Sequence, residues 1–236
     1  MTHHLVVLPP AFAQTRDALH ALAEHVIAPA RQRVTGRIGL VATPGGFGTP
    51  FFGDDERVRV EGTELVHEHP GSARRIAITT LGDAARFVGV EFAAITRVYE
   101  PSTPLLPDEP LRLDADAALA LAAWFAFGAA ALEQLGHRYV TLDPTPVQLW
   151  PEHFDIACDF GDADAGTRAN YGASPGDGEI AEPYLYVGPW DRAHRTGVFG
   201  GYSFGAALTY DELRANGDAS ARARQFFGDA AALLVG

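Results

Sequence analysis

The stretch Arg57-Val-Arg-Val-Glu-Gly-Thr-Glu-Leu-Val-His-Glu-His69, followed by Arg75-Ile-Ala-Ile78, decides the fold class. Val58 and Val60 alternate with charged residues, Glu64 to His69 resumes the alternation after Glu61-Gly62, and Pro70-Gly71 marks a second turn. Successive strand side chains point to opposite faces, so short alternating runs punctuated by Gly and Pro specify half-buried strands joined by tight turns. An antiparallel meander is expected here.

The flanks read differently. Gln14 to Val34 has helical period, with Leu19, Leu22, Val26 and Ala30 on one stripe and Arg16, Asp17, Glu24 and Arg31 elsewhere. Pro29 is expected to kink or break this helix near Ala28, because proline has no N–H to donate. Arg37 to Ala42 reads as a strand, Thr43-Pro-Gly-Gly-Phe-Gly-Thr-Pro50 as a loop, and a short helix begins near Leu81. Pro101, Pro104, Pro107 and Pro110 make 100–112 a linker. Asp114 or Asp116 then caps a helix to about Leu135, stopped by Gly136. Its uncharged part, Ala117 to Leu132, is short of the ~20 apolar residues of a membrane span and is expected to be a core helix.

Further strands are expected over Val147–Phe160 as one long segment, Arg168–Ala173, Tyr184–Val187 and Ser203–Leu208, before an amphipathic helix from about Asp218 to Leu234. The class is therefore α+β: two antiparallel β-lobes flanked by helices, with a buried central helix. The expected organisation is a single compact domain, 1–236, with lobes 1–99 and 113–236 joined by the proline-rich 100–112.

Composition excludes several functions. The chain of 236 residues has no lysine, so all 18 basic residues are arginine. It cannot form a pyridoxal phosphate Schiff base, complete a Walker-type phosphate loop or supply a kinase's ATP-pairing lysine. The cofactor is otherwise unknown. A formal charge of −12 with scattered arginines argues against a nucleic-acid partner. The lone Cys158 rules out an intrachain disulfide or a multi-cysteine metal site. The N-terminus has an apolar run without a basic flank or cleavage site, so the expectation is a cytoplasmic protein with no membrane partner. His3 and His4 read as a frayed terminus, and a homo-oligomer is left open.

Several motifs fail on inspection. Gly172-Ala-Ser-Pro-Gly176 matches the hydrolase nucleophile elbow, but Pro175 has no N–H for an oxyanion hole. Gly45-Gly-Phe-Gly lacks the third glycine of a dinucleotide fingerprint and reads better as a hairpin. Asp162-Ala-Asp-Ala-Gly166 lacks the remaining calcium ligands and reads as a solvated acidic turn. His67 and His69 share a strand face and could clamp a metal, with Glu64 nearby, but no third ligand is visible at fixed spacing. The reading is an exposed hairpin tip and no metal site.

Val147-Gln-Leu-Trp-Pro-Glu-His-Phe-Asp-Ile-Ala-Cys-Asp-Phe160 carries the candidate site. Past Pro151, period two puts His153, Asp155 and Asp159 on one face and Phe154, Ile156, Cys158 and Phe160 on the other. His153 would be a general base or metal ligand, and Asp155 its orienting partner. Asn170, Tyr171, Glu182 and Tyr184, with Tyr186, would line an aromatic-walled pocket on neighbouring strands.

Trp150-Pro-Glu-His-Phe-Asp-Ile-Ala157 also resembles the W-x-x-x-F-D-[LI]-A strand of an uncharacterised bacterial family, a domain of unknown function. Glu182-Pro-Tyr-Leu-Tyr186 is similar to its proline–aromatic strand, and Leu208-Thr-Tyr-Asp-Glu-Leu213 with Ala219–Leu234 to its closing strand and helix. The family carries a tryptophan-rich, His-containing loop where this chain has Gly45-Gly-Phe-Gly-Thr-Pro50. The resemblance implies a stand-alone soluble protein and no particular activity.

Two functional readings follow. One is a small-molecule-binding protein, with catalysis open, using His153 and Asp155. The alternative is a non-catalytic protein–protein interaction module using apolar Gly/aromatic loops, Phe47–Phe52 or Trp190–Tyr202.

Overall fold

Leu19, Leu22, Val26 and Ala30 do form the buried stripe of a long N-terminal rod. It runs through helix α1 (Phe12–Leu22), a π-helical turn (Ala23–Ile27) and helix α2 (Ala28–Thr35) without a break. The wider turn ends just before Pro29, whose missing N–H it absorbs, so the proline does not interrupt the rod. The computed structural model describes residues 5–92, 98–215 and 217–235; His3 and His4 lie outside them. The chain divides into two compact units, residues 8–126 with 149–154, and residues 1–7, 127–148 and 155–236.

In the first unit the rod accompanies a five-stranded antiparallel meander: β1 (Val41–Thr43), β2 (Gly46–Gly48), β3 (Arg57–Glu61), β4 (Glu64–His69) and β5 (Ser72–Ala77), in chain order. The loop expected at 43–50 is itself the β1–β2 hairpin. A Cβ on Gly48 would lie 2.3 Å from that of Arg59, so glycine is required by strand approach and not by a phosphate. Helix α3 (Leu81–Val88) is capped by Thr80, whose hydroxyl accepts from the Asp83 amide at 3.0 Å.

The proline-rich segment is packed within this first unit and is not a free linker. The Gly82 amide donates to Pro107 and the Leu111 amide to Thr79, both at 2.8 Å. Ser102 and Thr103 are tied to Glu24, which sequence period placed off the buried stripe but which is fully buried.

The units divide inside helix α4 (Ala115–Arg138), not in the proline-rich segment. Asp114 caps it, accepting from the Ala117 amide at 2.9 Å, and it continues through Gly136. At 24 residues, with a window of mean hydropathy 1.7, it is long and apolar enough to cross a membrane, yet 56% of that window is buried within the protein. In the second unit a Cβ on Gly128 would lie 2.6 Å from that of Ala173, so this glycine lets helix and sheet approach.

The second sheet contains β6 (Gln148–Trp150), β7 (Asp155–Phe160), β8 (Ala169–Ser174), β9 (Tyr184–Pro189) and β10 (Ala206–Thr209), in the order β10-β9-β8-β7-β6. Helices α5 (Tyr210–Ala215) and α6 (Ala219–Val235) follow. The fold class is thus α+β with two antiparallel five-stranded sheets. The long strand expected over Val147–Phe160 is two strands, because residues 151–154 form a turn and Phe154 takes a left-handed conformation at φ 53°. Ile156, Cys158 and Phe160 still point into the core, where Tyr171 stacks on Phe160 at 4.3 Å and meets Phe227 of α6 edge-on. Burying a side chain of Phe227's size contributes roughly 1.5–3 kcal/mol.

Candidate active face of the second sheet

The β7–β8–β9 register sets the site. Ala157 pairs with Gly172 and Gly172 with Tyr186, while Ser174 pairs with Tyr184. Period two then puts Asp155, Gly172, Ser174, Tyr184 and Tyr186 on one face, opposite the apolar core. Glycine at 172 leaves the space in which the Tyr186 ring lies.

This polar face is buried. Asp155 and Ser174 are 5% and 4% exposed, and Tyr184 is 4%. The Tyr186 hydroxyl donates to Asp155 Oδ2, and the Tyr184 hydroxyl donates to Asp177 Oδ2 at 2.6 Å. Ser174 hydrogen-bonds the Tyr184 oxygen, and its own Oγ accepts from the Gly176 amide at 3.1 Å. Burial first, and the neighbouring Asp155 charge second, push the Tyr186 hydroxyl well above the ordinary phenol range. Burial and the Asp177 bond do the same to Tyr184. Both phenols are therefore neutral donors to carboxylates at neutral pH.

An aromatic loop closes over the pair. Phe204 stacks on Tyr184 at 5.6 Å and meets Tyr186 edge-on at 5.8 Å, and Tyr202 stacks on Phe204 at 5.5 Å. Tyr202 and Gly205 exchange backbone hydrogen bonds at 3.0 and 3.2 Å, making the loop a tight turn. Glu179 holds it down, accepting from the Ser203 amide at 3.0 Å and the Ser203 hydroxyl at 2.7 Å.

The residues expected from sequence divide sharply. Asp155 and Tyr184 come together, with Tyr186. His153 does not join them on a strand face: it is exposed in the turn before β7, where the left-handed Phe154 breaks the alternation. Tyr171 lies on the opposite, core face, and burial raises its pKa. Asn170 is exposed and accepts from the Trp190 indole at 2.8 Å. Glu182 accepts from the Asp211 amide at 3.0 Å, which fastens the start of α5. Nothing in the sequence pattern marks Asp177, Glu179 or Phe204, which sit on loops where spacing has no period.

A cleft of about 390 Å³ opens on the same unit, lined by Asp164, Arg168, Trp190 and Asp191. Arg168 is held by Asp159 and by the Gly161 carbonyl at 3.2 Å, and it stacks under Trp190 at 5.0 Å. Arg168 and Trp190 thus engage each other, and Asp191 accepts from the Ala193 amide at 2.8 Å. Asp162 forms the acidic turn expected of it, accepting from the Asp164 and Ala165 amides. Cys158 is buried, and burial pushes its thiol up to about 12, which makes it a poor nucleophile.

Fold and site together define an α+β protein with a buried carboxyl group, Asp155, bonded to the half-buried Tyr186 phenol on a sheet face beside an aromatic loop. No family model, curated protein or solved structure matches this chain.

Proposed function

We propose that the second unit binds a small molecule carrying a basic nitrogen, with Asp155 as counter-ion and Tyr184, Tyr186 and Phe204 as aromatic walls. The observation that supports this reading is Asp155 itself: a carboxyl group 5% exposed, bonded to the Tyr186 phenol, whose ring meets Phe204 edge-on beside Tyr184. Aromatic faces attract cations and repel anions, so the walls and the counter-ion select the same ligand class. The loop at Tyr202–Phe204 has to lift for a ligand to enter, and the Glu179–Ser203 bonds set that cost.

The reading keeps Asp155 and Tyr184 from the sequence expectation and omits His153, which lies on an exposed turn. The testing experiment is a thermal-shift screen of the intact chain against organic amines, with neutral and anionic metabolites alongside. A ligand at about a hundred times its dissociation constant adds roughly 2.7 kcal/mol, a shift of a few degrees. The expected result is amine hits that disappear in Asp155→Asn. Hits that persist in that variant would move the site elsewhere, and an empty screen would favour the docking-module reading.

A further inference from the structure

We propose that Glu56, His67 and His69 of the first unit form a binding site for a divalent transition-metal ion, with Zn2+ the best fit to its ligands. The site is built by the meander. His67 and His69 are two apart on β4 and share a face, with ring centroids 4.3 Å apart. Val58 pairs with His67 and Arg57 with Glu68, so continuing the register by one pair puts Glu56 across from His69. The Glu56 Oε1 to His67 Nε2 distance is 2.7 Å, and one ligand atom from each of the three residues lies within 4.8 Å of the other two. His67 is 4% exposed while His69 is exposed, so the group is anchored on one side and open on the other.

Two imidazoles and one carboxylate, with a fourth position open to solvent, match a three-ligand zinc site. Bonds of about 2.0–2.1 Å bring tetrahedral ligands to roughly 3.4 Å from one another, a contraction within reach of side-chain rotation. The nitrogen-rich set disfavours Mg2+ and Ca2+, which prefer oxygen.

Two arginines compete with the ion. Arg33 Nη2 lies 3.7 Å from Glu56 Oε1, and Arg74 Nη2 donates to His67 Nδ1 at 3.2 Å. A metal on Nε2 requires the ring proton on Nδ1, so Arg74 must leave that nitrogen. The same Nη2 also donates to the Phe87 carbonyl at 3.3 Å, and the guanidinium stacks on the Phe87 ring at 4.9 Å, contacts that can hold Arg74 when the His67 bond is given up. Arg74 is thus a gatekeeper whose removal relieves both charge repulsion and competition for the imidazole.

The test is calorimetric titration of the full chain with Zn2+, and Co2+ as a spectroscopic substitute. His3 and His4 are replaced by alanine throughout, because a terminal Met-Thr-His-His can bind metals by itself. The expected result is one ion per chain, with affinity reduced roughly tenfold or more in His69→Ala and in Glu56→Gln. Affinity should rise several-fold in Arg74→Ala, and Mg2+ or Ca2+ should not compete. Circular dichroism melts confirm that each variant is folded; His69 and Arg74 are exposed, so both changes are tolerable. Absence of Zn2+ binding, equal affinity in Glu56→Gln, or weaker binding in Arg74→Ala overturns the proposal.

Discussion

The Tyr186 ring occupies the space above Gly172: a Cβ added there would lie 2.4 Å from two ring carbons and 2.5 Å from the phenol oxygen. Gly172→Ala must therefore push Tyr186 off Asp155. Overpacking of this kind costs about 1–3 kcal/mol, to be read as a lower urea midpoint with an unchanged slope. An unchanged midpoint would mean that Tyr186 moves aside freely and that the pair is not held by the sheet.

Removing the acceptor should cost more than changing its charge. Asp155→Ala leaves the buried Tyr186 hydroxyl without Asp155, a penalty of about 1–3 kcal/mol, whereas Asp155→Asn keeps an acceptor oxygen. A double-mutant cycle with Tyr186→Phe should be non-additive, with a coupling of at least about 0.5 kcal/mol in urea unfolding. Strict additivity would show that the contact contributes nothing.

The loop over the site should respond to Glu179. Its carboxylate accepts from both donors of Ser203, the amide and the hydroxyl, so Glu179→Gln weakens the clasp. Faster protease nicking within 197–205, at nearly unchanged global stability, is expected. Equal nicking rates would place the constraint in the Tyr202–Phe204 stacking instead.

Glu24 clasps the proline-rich segment. It accepts from the Ser102 amide at 3.0 Å and from the Thr103 amide and hydroxyl at 2.8 and 2.6 Å, at zero exposure. Hydrogen bonds to a charged group contribute about 1.5–3 kcal/mol each before desolvation is counted, so Glu24→Ala should lose about 3 kcal/mol or more. A melt within a degree or two of the parent would contradict this.

Stability should fall above pH 10. Burial raises the pKa values of Tyr99, Tyr171, Tyr184, Tyr186 and Tyr210 above the ordinary 10.0. The unfolded chain ionises first, so the contribution is complete below pH about 10 and drains as pH rises past it. The phenolate absorbance of these five of the seven tyrosines should accordingly appear together with unfolding, and a rise equivalent to all seven before the fold is lost would refute the assignment.

On the acid side His20 acts with the opposite sense of pH. Burial lowers its pKa below 6.5, against the raising influence of Glu24 and the Pro151 carbonyl. Between the folded value and 6.5 the unfolded state binds more protons, so stability is full above pH about 6.5 and is lost as pH falls through that window. His20→Gln should flatten this slope in melts taken across pH 5–7.

Legibility from sequence followed periodicity. The meander Arg57–Ala77 and the stripe of Leu19, Leu22, Val26 and Ala30 are readable because apolar residue types recur with the period of the backbone, although burial in β3 and β4 does not alternate with them. The strand through Asp155 was readable only from Asp155 onward, because a left-handed Phe154 carries no signature in residue type. Glu56 was detectable in principle: the Glu61–Glu64 turn fixes the hairpin register, and extending it reaches His69. Asp177 and Phe204 had no such signal.

The sequence by itself determined the α+β class, the antiparallel pairing and the core face of β7 with Ile156, Cys158 and Phe160; the His67–His69 end of β4, expected as an exposed hairpin tip, has His67 buried instead. The class, the pairing and that core face follow from local rules, since alternation, turn residues and composition act within a few residues of one another. Tertiary structure alone decided that Glu24 is buried, that Tyr171 and Tyr184 lie on opposite faces of one sheet, and that Tyr186 meets Asp155. Those outcomes depend on register and close approach between segments up to 79 residues apart, as Thr103 and Glu24 are. Burial of a polar group is stabilising only where distant partners satisfy it, and no local pattern encodes who those partners are.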